Sequence, residues 1–407
     1  MALVAVVAAA GLLVAPPASQ GAARAGSSVP PYLGSWGSAG SGHGQFSGPI
    51  QVAVAPDGTV YVTDEENYRV QRFTASGQYL GQWGGHGSGH GQFDAPVGIA
   101  VAPNGTVYVT DNNSDRVQRF TANGRYLGSW GTHGSGQGQF DGASDVAVAP
   151  NGNVYVADQN NERIERFTST GRYLGAWGSE GSGHRQFHFP VAVAVDPRGN
   201  VFVSDGYNDR VQKFGPRGRF LAAWGGLDAA SGIAVGPDGS VYVGSYYDSK
   251  VVRYDAHGHV LGTWGGAGTG QGQFDEEWGI AVGRDGTVYV ADQGNNRIQR
   301  FGRILSCSGR PVSIVAPTAH VTVRGTTGRD VIQGTPGADV IWGRGGNDVI
   351  CGRGGADRIH GGNGKDHLYG NAGKDHLYGN AGKDTLYGGP GRDHCSGGSG
   401  HDHLHSC

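Results

Sequence analysis

No stretch of this 407-residue chain is apolar over the length a bilayer span needs, about 20 residues. The longest apolar run, Ala2 to Val14, is too short, and no other segment replaces it, so a transmembrane helix is excluded. An excess of positive charge is missing too. The formal net charge is −3, which leaves no broad basic face to grip nucleic acid. Cysteine is scarce: the four residues Cys307, Cys351, Cys395 and Cys407 all lie in the last quarter of the chain. Neither G-x-S-x-G nor G-x-x-x-x-G-K-[ST] occurs, so a hydrolase nucleophile elbow and a phosphate-cradling loop are both excluded.

What the sequence does contain is repetition. Trp36, Trp83, Trp130, Trp177, Trp224 and Trp264 follow one another at steps of 47, 47, 47, 47 and 40 residues. A fixed period of this size marks an array of supersecondary units. The copy from Gly91 to Gly131 holds four short apolar runs, beginning at Val97, Thr106, Arg116 and Tyr126. Turn sequences separate them, among them Pro103-Asn104-Gly105 and Ala122-Asn123-Gly124. Asn-Gly between β-branched runs is a hairpin signal, because the turn needs residues that tolerate positive φ. Four antiparallel strands per unit, repeated radially, make a propeller blade. The last unit, Gln273 to Gly302, lacks its fourth strand, and an unpaired Tyr-Leu-Gly-x-Trp-Gly stands at Tyr32 to Gly37. The N-terminal strand is thus expected to complete blade six and leave no open edge.

The run Tyr-Val-x-Asp-x-x-Asn-x-Arg-Ile/Val-Gln-Arg-Phe, as in Tyr289 to Phe301, resembles the NHL repeat over residues 31–302. The resemblance implies an all-β, six-bladed propeller of a kind that serves as a protein- or RNA-binding platform, as a sensor ectodomain and, in a few cases, as a lyase or hydrolase. In the amidating lyase relatives, metal-binding histidines converge in the central channel. Here the inner runs, from Val52-Ala53-Val54 to Ile280-Ala281-Val282, contain none. The recurring Asp64/Arg69, Asp111/Arg116, Asp158/Arg163, Asp205/Arg210 and Asp292/Arg297 read as scaffold, since a catalytic centre does not recur once per blade. The linker heptads (Gly40 to Phe46 and its equivalents) carry His43, His90 and His184, with Gln137 and Gln271 at the same place in others. One residue per blade does not make a converging metal site.

Departures from the repeat are more informative. Blade five lacks the heptad and has Ser245-Tyr246-Tyr247 where other blades have Asp and polar residues. Blade six enters through Glu276-Glu277-Trp278, and blade one carries Glu65-Glu66-Asn67-Tyr68. These blades are neighbours once the ring closes. Glu65, Glu66, Tyr68, Tyr246, Tyr247, Glu276, Glu277 and Trp278 are therefore expected to form a ligand-binding sector on one face, suited to a sugar, a peptide or a cation.

After a connector at residues 303–324 the period becomes nine. From Gly325 to His405 run nine nonapeptides, with Asp330, Asp339, Asp348, Asp357, Asp366, Asp375, Asp384, Asp393 and Asp402 in step. An aliphatic residue follows each Asp by two places, except at Cys395. The pattern, as in Gly361-Gly-Asn-Gly-Lys-Asp-His-Leu-Tyr369, resembles the hemolysin-type (RTX) calcium-binding nonapeptide. It implies a parallel β-roll at 325–405 in which the nine aspartates and turn carbonyls offer hard oxygen ligands to Ca²⁺.

Residues 1–25 read as an export signal, with a cleavage site at Ala23-Arg24-Ala25 and no basic flank. An exported chain with four cysteines is expected to form two disulfides. Three pairings are open, Cys307–Cys351 with Cys395–Cys407 among them. The expectation is thus a secreted, extracellular, calcium-binding monomer. Its propeller binds an extracellular protein, peptide or carbohydrate and is not an enzyme. The alternative is a propeller lyase or hydrolase acting on a secreted small molecule or peptide.

Overall fold

The computed structural model describes residues 29–302, 306–308, 310–311, 314–315, 322–335 and 337–407. The export signal at 1–25 and much of the connector lie outside the described residues. The chain divides into two compact units, taken here in turn.

The first unit is a propeller of six four-stranded antiparallel sheets. Blade two is representative: Pro96–Val101, Val107–Asp111, Arg116–Phe120 and Tyr126–Trp130, from the channel outward. Each inner strand departs from regular register near its start, for instance between Pro96 and Ile99. That irregularity turns the first residues of the strand into the channel. Blade six consists of Glu277–Val282, Val288–Asp292, Arg297–Phe301 and the N-terminal Tyr32–Trp36. The N-terminal strand pairs antiparallel with Arg297–Phe301 and closes the ring, as the strand count requires.

At five of the six blade interfaces one motif recurs. The fourth-strand tryptophan of one blade lies flat against the turn glycine of the next. A Cβ at Gly124 would sit 2.6 Å from the Trp83 ring, and one at Gly77 would sit equally close to Trp36. Only glycine permits that approach, and both turns have positive φ as well. The linker phenylalanines fill the rest: Phe46, Phe93, Phe140, Phe187 and Phe274 are fully buried. Each is worth about 2–3 kcal/mol of transfer free energy. The repeated ion pair ties each linker down. Arg69 Nε donates to Asp64 Oδ2 at 2.6 Å, while its terminal nitrogens donate to the carbonyls of Ser41, Gly42 and Gln45. The pair is a scaffold element.

The second unit is a parallel β-solenoid. Alternate nonapeptides fall into two sheets, so every pairing is eighteen residues apart: Val340 pairs with Arg358, and Val349 with His367. The aliphatic column Ile332, Ile341, Ile350, Ile359, Leu368, Leu377 and Leu386 is fully buried between the sheets. Aromatic side chains outside the core stack along the axis, with Trp342 and His360 centroids 3.8 Å apart and Tyr369 and Tyr387 4.9 Å apart. Disulfides join Cys307 to Cys351 and Cys395 to Cys407.

Candidate functional site

The solenoid puts its nine aspartates at the ends of short strands, where glycine-rich turns reverse the chain. One oxygen of each carboxylate has a structural task. Oδ1 of Asp348, Asp357, Asp366, Asp375, Asp384, Asp393 and Asp402 accepts the backbone N–H of the Asp eighteen residues earlier, at 2.8–2.9 Å. The other oxygen is different. Oδ2 of Asp348, Asp357, Asp366, Asp375, Asp384 and Asp393 is buried without a hydrogen-bond partner. An acceptor buried in that state costs about 1–3 kcal/mol, so six in a row call for a partner.

The surroundings of those oxygens suit a hard cation. The first glycine of each turn lies against the next Asp. A Cβ at Gly352 would be 2.2 Å from Asp357 Oδ2 and 2.8 Å from the Gly370 carbonyl oxygen. The same would hold at Gly361 for Asp366 Oδ2 and the Gly379 carbonyl. Carboxylate and carbonyl oxygens therefore converge on a cradle that a side chain would fill. Burial, joined by the charge of the aspartates a turn away, pushes Asp348 up to about 6 and Asp357 and Asp366 up to about 7. Asp375 and Asp384 are raised for the same reasons. Crowded carboxylates of this sort are relieved by a divalent ion with oxygen ligands. Asp402 is half-buried at the end of the row. Asp330 and Asp339, at the other end, bond locally to Thr326 and Thr335.

The propeller presents a second site, at the face where strand two turns into strand three. In four of the six blades the residue after the second strand rims the channel: Glu65, Asn112, Gln159 and Gln293 line a cavity of about 80 Å³ with Trp278. Its floor holds Gln51 and Asp145. Asp145 Oδ2 accepts the Val193 N–H at 2.9 Å, and Gln51 Nε2 reaches Oδ1 from across the channel at 3.5 Å. Burial pushes Asp145 up to about 7. Sequence reasoning passed over this residue. The signal was present, since the inner strands have Gln51, Gly98, Ala192, Gly232 and Gly279 at the equivalent place and Asp only once.

The expected sector assembles in part. Tyr246 packs against both Tyr247 and Trp278, with centroids 5.3 Å apart in each case. Burial and the Glu276 carboxylate together raise the Tyr246 phenol. Glu65 joins Trp278 at the cavity, and burial raises its carboxyl, assisted by Glu66. Glu66 is exposed and accepts from the Ser47 hydroxyl. Two residues must be moved out of the sector. Glu277 is fully buried beneath the face and pushed up to about 9, because the strand that begins there points its side chain inward where other blades have proline or alanine. Tyr68 packs on His86, 4.4 Å between centroids, because positive φ at Tyr68 turns it toward the blade-two linker.

Sequence-family comparisons match these two architectures. The model of the RTX calcium-binding nonapeptide repeat matches residues 324–359, 352–386 and 369–404. That of the NHL repeat matches 46–73, 93–120, 140–167, 187–214 and 278–301. The chain carries NHL repeats and RTX calcium-binding repeats. Blade five is the one full blade without an NHL match, in keeping with its missing heptad. No curated protein matches the chain. Among solved structures, a streptogramin B lyase is 16% identical, covering 63% of this chain and 93% of its own, with a TM-score of 0.48. A virginiamycin B lyase from Staphylococcus aureus is 16% identical, covering 68% and 96%, with a TM-score of 0.46. A Bacteroides thetaiotaomicron protein of unknown function is 18% identical, covering 66% and 74%, with a TM-score of 0.50. At such identities the likeness is one of fold. No helix among the described residues is long and apolar enough to cross a membrane.

Proposed function

We propose that this is a secreted calcium-binding protein whose propeller recognises an extracellular protein, peptide or carbohydrate without transforming it. The observation that carries the calcium half is the row of buried Asp Oδ2 atoms without partners, from Asp348 to Asp393. Ca²⁺ would supply positive charge to those oxygens and to the turn carbonyls beside them. Two disulfides accord with an oxidising, extracellular compartment, where calcium is abundant.

Recognition rests on the mouth of the propeller. Tyr246, Tyr247 and Trp278 give a cluster of mutually tilted aromatic rings, and Glu65, Asn112 and Gln159 give polar groups beside it. Aromatic faces with a few convergent polar groups bind sugars and peptides. The full chain, immobilised in millimolar calcium and screened against glycan and peptide arrays, tests the reading. A specific hit that Tyr246→Ala with Trp278→Ala abolishes, at unchanged unfolding temperature, supports it. Full binding by that variant refutes the assignment of the face.

One observation favours a second reading, a lyase or hydrolase. Asp145 is a buried carboxyl on the channel floor with its pKa near neutrality, the condition of a general base. Turnover of a peptide or small molecule that Asp145→Asn eliminates would establish this reading in place of the first.

A further inference from the structure

The nine nonapeptides are not equivalent, and the difference lies in their second residue. It is Thr326 and Thr335 in the first two turns, then Arg344, Arg353, Gly362, Asn371, Asn380, Gly389 and Gly398. From Arg344 onward every one of these residues has positive φ, 69° to 112°. Thr326 and Thr335 do not, as expected of β-branched residues. At the fourth position Gly346, Gly355, Gly364, Gly373, Gly382 and Gly400 have positive φ, whereas Gly328 and, near the far end of the row, Gly391 do not. The first two turns thus have a different backbone from those that follow.

Their aspartates are also differently occupied. Asp330 Oδ2 accepts the Thr326 N–H at 2.6 Å and the Thr326 hydroxyl at 2.9 Å. Asp339 Oδ2 accepts the Thr335 N–H at 2.6 Å and hydroxyl at 2.8 Å. Each threonine oxygen accepts in turn from the N–H two residues on, Gly328 or Gly337. The oxygen that has no partner from Asp348 to Asp393 is therefore saturated here by two donors of its own turn. A cation at either carboxylate would have to displace both donors, in a turn whose backbone is set for the hydrogen bonds.

We infer that the first two turns are a metal-free cap in which Thr326 and Thr335 take the place of calcium, and that the ion-binding row begins only at Asp348. The Cys307–Cys351 disulfide and the buried Val323, Ile332 and Ile341 hold this end together by covalent and apolar means. Only the short strands Ile314–Val315 and Thr322–Arg324, which lie outside the nonapeptide row, precede these two turns in the sheets, and terminal repeats of a solenoid are commonly atypical. The inference rests on the calcium reading of the later turns and narrows it to this chain's own residues.

Two measurements on the full chain decide it. Calorimetric titration with CaCl₂ counts ions per chain in the parent, in Asp330→Asn with Asp339→Asn, and in Asp357→Asn with Asp366→Asn. The expected count is unchanged in the first variant and lower in the second. An equal fall in both would overturn the inference. A parent that takes up no calcium would remove the calcium reading itself. The second measurement stands without any ion. In chelator, hydrogen exchange at the amides of Thr326, Gly328, Thr335 and Gly337 is expected to be slowed at least tenfold relative to the unfolded chain, and calcium is expected to leave it unchanged. Amides of the first two turns that become protected only when calcium is added would refute the cap, whatever the ion count.

Discussion

Asp357 Oδ1 accepts the backbone N–H of Asp339 at 2.8 Å, while Asp357 Oδ2 is buried with no partner. One oxygen of this carboxylate thus holds the sheet together, and on the calcium reading proposed above the other is left to hold an ion. Substitution by asparagine separates the tasks. The amide oxygen preserves the ladder bond, and the charge is gone. Without calcium, Asp357 and Asp366 are raised to about 7, so the folded roll binds more protons than the unfolded chain between about pH 4 and 7. Its stability in chelator must fall as pH rises through that window. Asp357→Asn with Asp366→Asn is expected to raise the roll's unfolding midpoint in chelator at pH 8 and to weaken calcium binding at least tenfold. Denaturation by circular dichroism, with and without calcium, checks both signs.

Glu277 gives the propeller a pH dependence of its own. Burial holds its carboxyl at about 9, above the ordinary value of 4.5, so it is protonated in the folded state at neutral pH. A carboxyl raised on folding destabilises from its unfolded pKa upward. Propeller stability should decline between about pH 4.5 and pH 9 and then level off. Glu277→Gln should flatten that decline and add on the order of 2 kcal/mol at pH 8. Thermal unfolding of both proteins from pH 4 to 9 gives the answer, and parallel profiles would count against it.

Ring closure makes a third expectation. Trp36 of the N-terminal strand sits edge-on to Tyr289 at 6.1 Å and packs with Phe73 of blade one at 5.7 Å. Deleting Tyr32–Trp36 removes these contacts and bares the edge of Arg297–Phe301. A loss of more than about 3 kcal/mol and aggregation at micromolar concentration are expected. Unchanged unfolding with a monodisperse scattering profile would show the ring holding without its closing strand.

The two disulfides differ in what they contribute. They close loops of 44 and 12 residues. In the chain-entropy model these correspond to about 4 and about 3 kcal/mol. Cys307→Ser with Cys351→Ser should therefore cost the roll more than Cys395→Ser with Cys407→Ser. Saturating calcium should narrow the difference by stabilising both variants through binding. Urea denaturation in calcium and in chelator separates the two contributions.

Much of this architecture was legible because repeats amplify weak signals. One Tyr-Leu-Gly-x-Trp strand says little, but four of them and the variants Phe220-Leu-Ala-Ala-Trp224 and Val260-Leu-Gly-Thr-Trp264, at a near-constant step and with one displaced to the N-terminus, give both the blade number and the closing strand. The nine-residue step of Asp330 to Asp402 gave the solenoid in the same way. Sites were harder to read because they depend on where a side chain points. Glu277 shares the acidic run of Glu276, yet Glu276 is a left-handed residue just outside the strand, while Glu277 opens the strand with its side chain buried. Tyr68 looks like a neighbour of Glu65 in sequence, and a single left-handed residue sends it elsewhere. Asp145 was visible only by lining up the six inner strands at one channel level. Equal spacing also hid the inequality of the aspartates, which lies in the threonines four places before Asp330 and Asp339.

The closing strand has a mechanical consequence. Tyr32 pairs with Phe301, and the Gly302 N–H donates to the Pro31 carbonyl at 2.7 Å, so both ends of the propeller leave the ring at the same end of the same strand pair. Tension applied between residues 31 and 302 would pull this ladder open as a zipper, one rung after another, and not shear all its rungs together. A propeller anchored at both ends would yield first at blade six, and at low force, however stable the ring is at rest. Optical-tweezer extension from handles on those two residues would register that step before any other blade gives way.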